Sequence, residues 1–443
     1  MPGTQFPRTS ITEGLGFIAL VGLPNVAQGL FRRRPAVVAT LDRLGVYARG
    51  HRLLAALHRR YGDGPVWVQA GAKPTLLIFG PDQIRYVLSN APDPFASDPE
   101  PKRSGMLKFQ PHALTISRDP DWSDRRRFTD AVLGCAHADQ NFQHRFAAIA
   151  AEEAATLPAT VSWTGFNKTL RRLARRIILG QNASGDDQLS EQLAILMDKA
   201  NPPGNGDPEL YGVFLASLQR YLAAGDDLAL AGLFGAAPKT AITDPVGQTI
   251  HWLFAMGDTL AINMWQCLAL LAVHSDVLAK VQRDLDQGHG TTYLSACLQE
   301  AMRLWPTTPM LARTTIRDIN WDGEHIPAGT SVAIVNAFNH RDQDRYPYAD
   351  RFEPTIWLNG SADHSWSFNY FSHGPQVCPG ADLALLLGTN LLAAMLRTAE
   401  PVASGFSLNP HAPLPQTFHH TRCRIALQRR TAYREDPARR PPI

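Results

Sequence analysis

Cysteine is scarce in this chain, with five residues in 443. The five are widely spaced, and no two of them form a Cys-x-x-Cys pair: Cys135, Cys267, Cys297, Cys378 and Cys423. A disulfide scaffold or a zinc ribbon needs closely paired cysteines, so the sequence excludes both classes. The pattern is typical of a protein in a reducing compartment, and we therefore expect a cytoplasmic location.

Neither sign of charge is in excess. The chain has 43 Lys and Arg residues against 40 Asp and Glu residues, which gives a net charge of +3. A nucleic-acid-binding domain usually carries a clearly basic surface, so we expect no nucleic-acid partner. The sequence also has no Ser/Gly-rich spacer, no repeat and no long run of one charge. One large domain, or a major lobe with a smaller strand-rich lobe, is therefore predicted.

A long apolar run is missing near the N-terminus. Gly14–Leu23 is apolar, but Pro24, Asn25 and Gln28 interrupt the sequence that follows. A helix that spans a bilayer needs about 20 apolar residues, and a signal peptide needs a basic region and a cleavage site. We expect no transmembrane segment. Residues 1–36 are predicted to pack on the fold, with a peripheral membrane contact as the alternative.

Hydrophobic periodicity predicts a mainly helical main domain over residues 37–430, with strands near its two ends, and a disordered tail over 431–443. The predicted helices are 37–61, most of 122–304 with a long buried helix at His251–His274, and Ala381–Thr398. The predicted strands are Val66–Val68, Thr75–Phe79, short strands within 311–336, and Arg422–Gln428.

The most informative segment surrounds Cys378. Phe371–Gly380 reads Phe-Ser-His-Gly-Pro-Gln-Val-Cys-Pro-Gly, and the largely apolar run Ala381–Leu396 follows it. An isolated cysteine is often only a buried apolar side chain. Here Gly374 and Gly380 flank it at fixed offsets. A lone thiolate at the entrance of a helix, shielded by an aromatic and held by backbone amides, is the axial sulfur ligand that a haem iron requires.

This Phe-x-x-Gly-x-x-x-Cys-x-Gly pattern resembles the haem-binding loop of cytochrome P450 enzymes. The resemblance implies a mainly α fold, a triangular helical prism with a small β-rich lobe, with 37–430 as its catalytic domain. It also implies haem b as the cofactor, with Cys378 as the metal ligand. The cofactor-binding residues in this loop are then Phe371, Gly374, Gln376, Cys378 and Gly380.

One detail of the loop concerns the sulfur. Pro379 follows the cysteine and has no N–H to donate. The amides of Gly380 and Ala381 remain as donors, and hydrogen bonds to a ligand sulfur tune the potential of the iron. We expect fewer donors to leave more charge on the thiolate.

A second motif pairs Glu300 with Arg303. Residues three apart on a helix share a face, although exposed pairs of this kind contribute little. Apolar neighbours surround this pair, so we expect burial with a further partner, which Arg351 can supply. The three residues resemble the family's Glu-x-x-Arg helix motif and its later Arg-Phe element, which implies a structural role in a buried charged cluster.

A third motif concerns the haem propionates. Trp122 and Arg126 match the family's Trp-x-x-x-Arg pattern for propionate binding, and Arg313 lies where many members place a second propionate arginine. Gln376 is neutral where many bacterial relatives have His or Arg. Propionate binding is therefore expected to depend on Arg126 and Arg313.

An acid and a hydroxyl lie together in the long apolar helix, at Asp258 and Thr259. Such a pair is costly to bury unless it is hydrogen-bonded or functional. It can be a Thr bonded to an earlier carbonyl with an Asp facing water, or a route for protons to dioxygen. The family pattern is Ala/Gly-Gly-x-Asp/Glu-Thr-Thr/Ser. This chain keeps Ala255, Asp258 and Thr259, but has Met256 for the second glycine and Leu260 for the final hydroxyl.

The resemblance implies a cytochrome P450 monooxygenase of bacterial type. It would insert one atom of dioxygen into a hydrophobic small molecule of secondary metabolism, such as a terpenoid, fatty acid, polyketide or aromatic natural product. Electrons would come from a separate ferredoxin or flavodoxin, and a monomer is expected. The predicted substrate pocket consists of Leu253, Phe254, Ala255, Met256, Thr308, Met310, Leu311 and Phe418.

Two other classes stay open. Met256, Leu260 and Gln376 are compatible with a thiolate-haem peroxygenase or rearrangement enzyme that does not use dioxygen. A non-catalytic haem-binding sensor would need no proton-delivery pair. Arg125 and Arg127, beside the predicted propionate ligand, are either a solvated basic face or a docking site for an acidic electron carrier.

Overall fold

Helices form most of the chain. The computed structural model describes residues 6–71, 73–362 and 365–430. Residues 431–443, for which disorder is predicted, lie outside the described residues. In the described ranges the strands gather in three small sheets around the helices. The predicted fold class, mainly α with a small β-rich part, is confirmed.

The helices range from one turn to five turns. In chain order their bounds are α1 Ile11–Phe17, α2 Leu23–Ala27, α3 Pro35–Arg43, α4 Val46–Tyr61, α5 Pro81–Ser89, α6 Lys102–Met106, α7 Asp121–Ala138, α8 Gln140–Ala155, α9 Trp163–Leu179, α10 Asp187–Ala200, α11 Pro208–Ala224, α12 Pro245–Phe254, α13 Leu260–Leu271, α14 Ser275–Asp286, α15 Thr292–Leu304, α16 Asn336–Asn339 and α17 Ala381–Thr398. π-Helical turns at Ile18–Gly22 and Ala255–Thr259 join α1 to α2 and α12 to α13.

The strands form one larger sheet and two smaller ones. Their bounds are β1 Val66–Val68, β2 Thr75–Ile78, β3 Phe95–Ala96, β4 Thr160–Ser162, β5 Leu311–Thr315, β6 Ile319–Trp321, β7 Glu324–Ile326, β8 Ser331–Ile334, β9 Ala399–Ser404 and β10 Arg424–Arg429. The five-stranded sheet has the order β1-β2-β8-β5-β3, in which only the β2–β8 pair is parallel. β4, β10 and β9 form an antiparallel sheet, and β6 pairs with β7.

The central helix runs from Pro245 to Leu271 through α12, the π-helical turn and α13. Pro245 occupies its first turn, where a missing N–H costs nothing, and the Asp244 side chain accepts the N–H of Gly247 at 3.1 Å. Almost every residue of α13 is buried, as its all-round apolar sequence predicts. This helix therefore passes through the core, beginning and ending slightly earlier than predicted.

Two local predictions differ from the structure. The predicted helix 37–61 is divided into α3 and α4, because Gly45 adopts a left-handed conformation with φ of 64°. β4 and β9 were not predicted. β4 has only three residues, and β9 contains Pro401, which weakens any sequence signal for a strand.

The described part of the N-terminal segment packs on the fold. Phe17 is buried, and Gly14 touches the backbone of Gln69, where a Cβ would lie 2.7 Å from the carbonyl oxygen. Helix α1 therefore lies against α4 and β1.

By length and composition alone, two helices could cross a membrane: Pro245–Leu271 and Ala381–Thr398. The first is mostly inside the fold and the second about half inside. Core helices of globular proteins pass the same test, so the expected absence of a transmembrane segment stays a prediction.

Candidate functional site

The loop before α17 holds Cys378 by backbone hydrogen bonds. The Cys378 N–H donates to the carbonyl of Phe371 at 2.8 Å, and the Val377 N–H donates to the carbonyl of Gly374 at 3.0 Å. Gly374 has φ of +66°, and a Cβ there would lie 2.3 Å from the Leu88 carbonyl oxygen. Only glycine fits this position, so the loop conformation follows directly from its sequence.

The thiol of Cys378 has one backbone donor. Burial raises its pKa, while the Gly380 N–H and the nearby Arg126 oppose that shift. The Ala381 N–H donates to the Cys378 carbonyl at 3.3 Å instead, so the prediction that Ala381 also serves the sulfur is wrong. Cys378 is half-buried and keeps some accessible surface. A bound metal would deprotonate this thiol.

Glu300 and Arg303 form a fully buried, two-pronged ion pair on α15. Arg303 donates through Nε and Nη2 to the two carboxylate oxygens at 2.7 and 2.6 Å. The carboxylate also accepts the Glu353 N–H at 2.9 Å and the Trp357 indole N–H at 3.0 Å. The Glu300 carboxylate thus has two hydrogen-bond donors besides Arg303, and a buried ion pair requires such additional partners.

Arg351 does not contribute its side chain to this cluster. The residue is exposed, and only its backbone carbonyl accepts from Arg303 Nη2, at 3.0 Å. The predicted role of its guanidinium is wrong, because the chain turns this side chain outward. A second buried pair lies nearby, between Arg341 and Asp350 at 2.8 Å. Arg341 lies in the polar sequence Asn-His-Arg-Asp at 339–342, but the sequence analysis assigned Arg341 no role.

Arg126 connects α7 to the Cys378 loop. Its Nη1 donates to the carbonyls of Pro375 at 3.0 Å and Val377 at 2.7 Å, and its Nε donates to Asp130 at 2.8 Å. Trp122 is half-buried one turn earlier. These bonds give Arg126 a definite role in holding the loop, and its contact with a propionate stays a prediction.

Arg125 is not part of a solvated basic face. The residue is 6% exposed, and it donates to Ser117 Oγ at 2.7 Å and to the Ile242 carbonyl at 3.2 Å. Its interpretation as a docking residue is wrong, because the side chain points into the protein. Arg127 is exposed and pairs with Asp124 at 3.1 Å.

Beside the loop lies a buried cation without a carboxylate. Arg313 is 3% exposed, and burial lowers its pKa to about 10. Its Nη2 reaches Ser372 Oγ at 3.2 Å, and its Nε has no partner among the described residues. A buried guanidinium in this state needs an anion.

Lys102 is a second basic residue in this region; it is half-buried, and sequence reasoning missed it. Its Nζ donates to the carbonyls of Ser97 and Thr115 at 2.7 and 3.0 Å. Burial and the charge of Arg313 lower its pKa to about 7. The Gln376 amide bonds to Ser97 Oγ at 3.2 Å, so this cationic region adjoins the Cys378 loop. Lys102 carried no motif, and only its position in the fold brings it here.

Asp258 and Thr259 lie in the π-helical turn of the central helix. In this turn the Leu260 N–H donates to the carbonyl of Ala255, five residues earlier. Such turns interrupt the regular bonding and are frequent at functional sites. Asp258 accepts from Arg171 Nη2 at 2.6 Å and is 15% exposed. The carboxylate is therefore ion-paired with α9 and does not face water alone.

The two departures from the family pattern at this turn point into the core. Met256 is 7% exposed and Leu260 is 3% exposed, and both belong to the main hydrophobic cluster. A Cβ on Gly257 would lie 3.2 Å from Arg171 Cγ, so this glycine lets α9 approach the turn. Gly257 has a right-handed helical conformation. The close approach of α9, and not a need for backbone freedom, therefore explains why this position is a glycine.

The residues predicted to form the substrate pocket lie in different parts of the structure. Met310 and Phe418 line a cavity of about 140 Å³, together with Thr307 and Pro309, the neighbours of Thr308. Leu253 is buried in the helical core. Phe254, Ala255 and Leu311 are half-buried and lie outside the lining of this cavity.

The fold and the thiol-bearing loop together define a haem-thiolate class of protein. The family model for cytochrome P450 matches residues 239–403. Cytochrome P450 3A9 of Rattus norvegicus is 30% identical over 179 residues, 37% of this chain and 34% of that protein. Cytochrome P450 4c3 of Drosophila melanogaster is 29% identical over 162 residues, 33% of this chain and 30% of that protein. This chain spans about a third of the length of these relatives.

A solved structure of a zebra fish cytochrome P450 with progesterone has a TM-score of 0.70 at 19% identity, and the match covers 86% of this chain and 99% of that chain. That likeness shows the fold. Over residues 239–403 this chain is similar to the cytochrome P450 family. Members of this family bind haem through a cysteine thiolate. The residues fit that group: Cys378 would supply the sulfur, and Arg313, whose Nε has no partner among the described residues, would supply positive charge for a carboxylate, with Lys102 nearby.

Proposed function

We propose that this chain is a haem-thiolate monooxygenase that acts on a hydrophobic small molecule. The observation that supports this best is the Asp258–Thr259 pair in a π-helical turn of the central helix, in a chain whose Cys378 loop fits haem ligation. A sensor or carrier would not need an acid and a hydroxyl at that turn. We further propose a cytoplasmic monomer that receives electrons from a separate ferredoxin or flavodoxin.

Cys378 would hold the haem, and a thiolate-ligated haem would supply the chemistry that cleaves the O–O bond of dioxygen. One oxygen atom enters a C–H or C=C bond of the substrate, and the other leaves as water after the uptake of two electrons and two protons. The residues of this chain manage those protons. The Thr259 hydroxyl provides a donor and acceptor in the turn, and the partly exposed Asp258 connects it to solvent.

The ion pair with Arg171 determines when Asp258 can take part in this proton route. Its guanidinium bonds to Asp258 Oδ1 through both Nε at 3.2 Å and Nη2 at 2.6 Å, so this carboxylate oxygen is engaged by Arg171 while the pair is intact. Proton transfer then requires the carboxylate to exchange this partner for water or Thr259. Both side chains are about one-seventh exposed, so water can reach the pair.

The second candidate is a thiolate-haem peroxygenase or rearrangement enzyme. The Asp258–Thr259 pair speaks against that alternative, because an acid and a hydroxyl over the iron serve proton delivery to dioxygen. A relative by fold, the zebra fish cytochrome P450, was solved with progesterone. An apolar substrate for this chain is compatible with that observation and with the apolar lining at Met310 and Phe418.

Turnover under two regimes tests the proposal. The holoprotein is supplied with ferredoxin, its reductase, NADPH and ¹⁸O₂ over a library of apolar compounds, and in parallel with hydrogen peroxide alone. We expect a product that carries ¹⁸O from dioxygen. Product formed only with peroxide would favour the peroxygenase, and no product in either regime would favour a sensor. The Cys378→Ser variant serves as the control that lacks the sulfur ligand.

A further inference from the structure

A cavity of about 140 Å³ lies where the N-terminal segment, α3, α4, the central helix, the loop after α15, α16 and the loop before β10 meet. Its lining includes Leu20, Tyr47, Ile262, Met310, Phe418 and Arg33. It is large enough for a ring or a short chain, since a cavity of about 150 Å³ holds benzene.

The cavity is on the same side of the central helix as the proposed proton route. Ile262 and Gln266 line it, and they lie three and seven residues after Thr259. Positions i, i+3 and i+7 share a helix face. Gln266 is therefore roughly 10 Å along the helix axis from Thr259, at 1.5 Å per residue. A molecule in this cavity can extend toward the reacting end.

Arg33 is a cation without a counter-ion at this cavity. Its Nη1 and Nη2 donate to the carbonyls of Gly29 at 3.1 Å and Thr307 at 2.9 Å. In the described part of the chain, no Asp or Glu lines the cavity or pairs with Arg33. Burial lowers its pKa to about 10, yet the side chain keeps accessible surface. The lowered pKa and the remaining accessible surface of Arg33 are both explained by a guanidinium that is packed on one side and faces the cavity on the other.

The other titratable groups do not supply the missing anion. Burial raises the pKa of Tyr47 to about 12, so its hydroxyl is neutral, and it donates to Gln28 Oε1 at 3.1 Å. Burial lowers the pKa of His420 to about 3, and it also lowers the pKa of His51. Arg33 is thus the charged group that the cavity presents.

A further polar atom is left without a partner. Gln266 is 5% exposed, and its Oε1 has no hydrogen-bond partner among the described residues. A buried amide oxygen in this state costs free energy until a donor reaches it. The cavity therefore combines an apolar wall with one uncompensated cation and one free acceptor.

We infer that the substrate is an apolar molecule with a carboxylate at one end, and that Arg33 binds this carboxylate with Tyr47 beside it. This inference rests on the proposed function and specifies its substrate class. A guanidinium binds a carboxylate by two parallel hydrogen bonds, and a partly desolvated pair of this kind is stronger than a neutral one. The apolar part then lies against Ile262, Met310 and Phe418 and points toward Thr259.

The test compares decanoate with decan-1-ol, which share a chain and differ in the charged end. Binding to the holoprotein is measured by isothermal calorimetry and by the change in the Soret band. We expect the wild type to prefer decanoate and Arg33→Gln to bind it about tenfold to a hundredfold more weakly, while decan-1-ol binding stays within about twofold. Tyr47→Phe should weaken decanoate binding several-fold.

Arg34→Gln is the matched control. Arg34 is the next residue in the chain, bonds to the carbonyls of Asn201 and Pro202, and is absent from the cavity lining. Arg33→Lys keeps the charge and should retain part of the preference for decanoate. Equal losses for decanoate and decan-1-ol in Arg33→Gln would mean that Arg33 only anchors Gly29 and Thr307, and would overturn the inference. Absence of any preference in the wild type would also overturn it.

Calorimetry does not depend on turnover. A decanoate preference in a protein that forms no oxygenated product would contradict the proposed function and leave the carboxylate site in place. Product formation from uncharged compounds, without a decanoate preference, would contradict the carboxylate site alone.

Discussion

Replacing Arg303 should destabilise the protein more than any other single surface or core change considered above. The guanidinium makes two bonds to Glu300, and it also donates to the carbonyls of His340 at 2.8 Å, Ala349 at 3.0 Å and Arg351 at 3.0 Å. Both ionised side chains are fully buried. Arg303→Ala therefore leaves a buried carboxylate without its counter-ion and three carbonyls without a donor.

The expected loss follows from these contacts. Breaking a buried ion pair by removing one partner costs about 3–5 kcal/mol, and a stranded carbonyl adds to that cost. Since a folded domain is stable by only about 5–15 kcal/mol, the variant should lose a large share of its stability and its haem. Arg303→Lys should also fail, because an ammonium cannot make the two-pronged bond to Glu300.

Urea unfolding of the purified holoproteins, with haem content measured in parallel, checks this prediction. Arg351→Ala is the matched control, since its exposed side chain makes no contact in the cluster and its carbonyl remains. Its stability should stay within about 0.5 kcal/mol of wild type. A stable, haem-replete Arg303→Ala protein would refute the reasoning, as would an Arg351→Ala variant that is equally damaged.

Three further outcomes are expected. Cys378→Ser should lose the strongly red-shifted Soret band of the ferrous–CO form, and a retained band would contradict thiolate ligation by this residue. Thr259→Ala should still bind haem but divert electrons to peroxide, measured as product per NADPH; unchanged coupling would place the proton route elsewhere. The hydrogen bond with Asp342 raises the pKa of His58, so its stabilising effect is complete below about pH 6.5 and is lost as pH rises through the raised folded pKa. The difference in urea midpoint between wild type and His58→Gln should therefore be larger near pH 6 than near pH 9, and a pH-independent difference would argue against this pair.

The sequence predicted those features whose causes are local. The loop around Cys378 depends on Gly374, whose conformation and close approach to Leu88 no other residue can adopt. The bounds of α17 matched the prediction, because an apolar run between Gly380 and a strand leaves little alternative. The Glu300–Arg303 pair is also local, since a spacing of three on a helix brings the two side chains together.

What the sequence by itself determined is the class of fold, the sulfur-bearing loop and the buried pair on α15. Only the tertiary structure decided that Arg125 points inward, that Arg351 points outward, and that Lys102 joins Arg313 beside the loop. It also decided that Arg33 faces a cavity whose lining, over the described residues, includes no Asp or Glu. Each of these outcomes depends on partners far away in the chain. Burial and charge compensation are set by the packing of distant elements, and a local pattern carries no information about which distant group will be near.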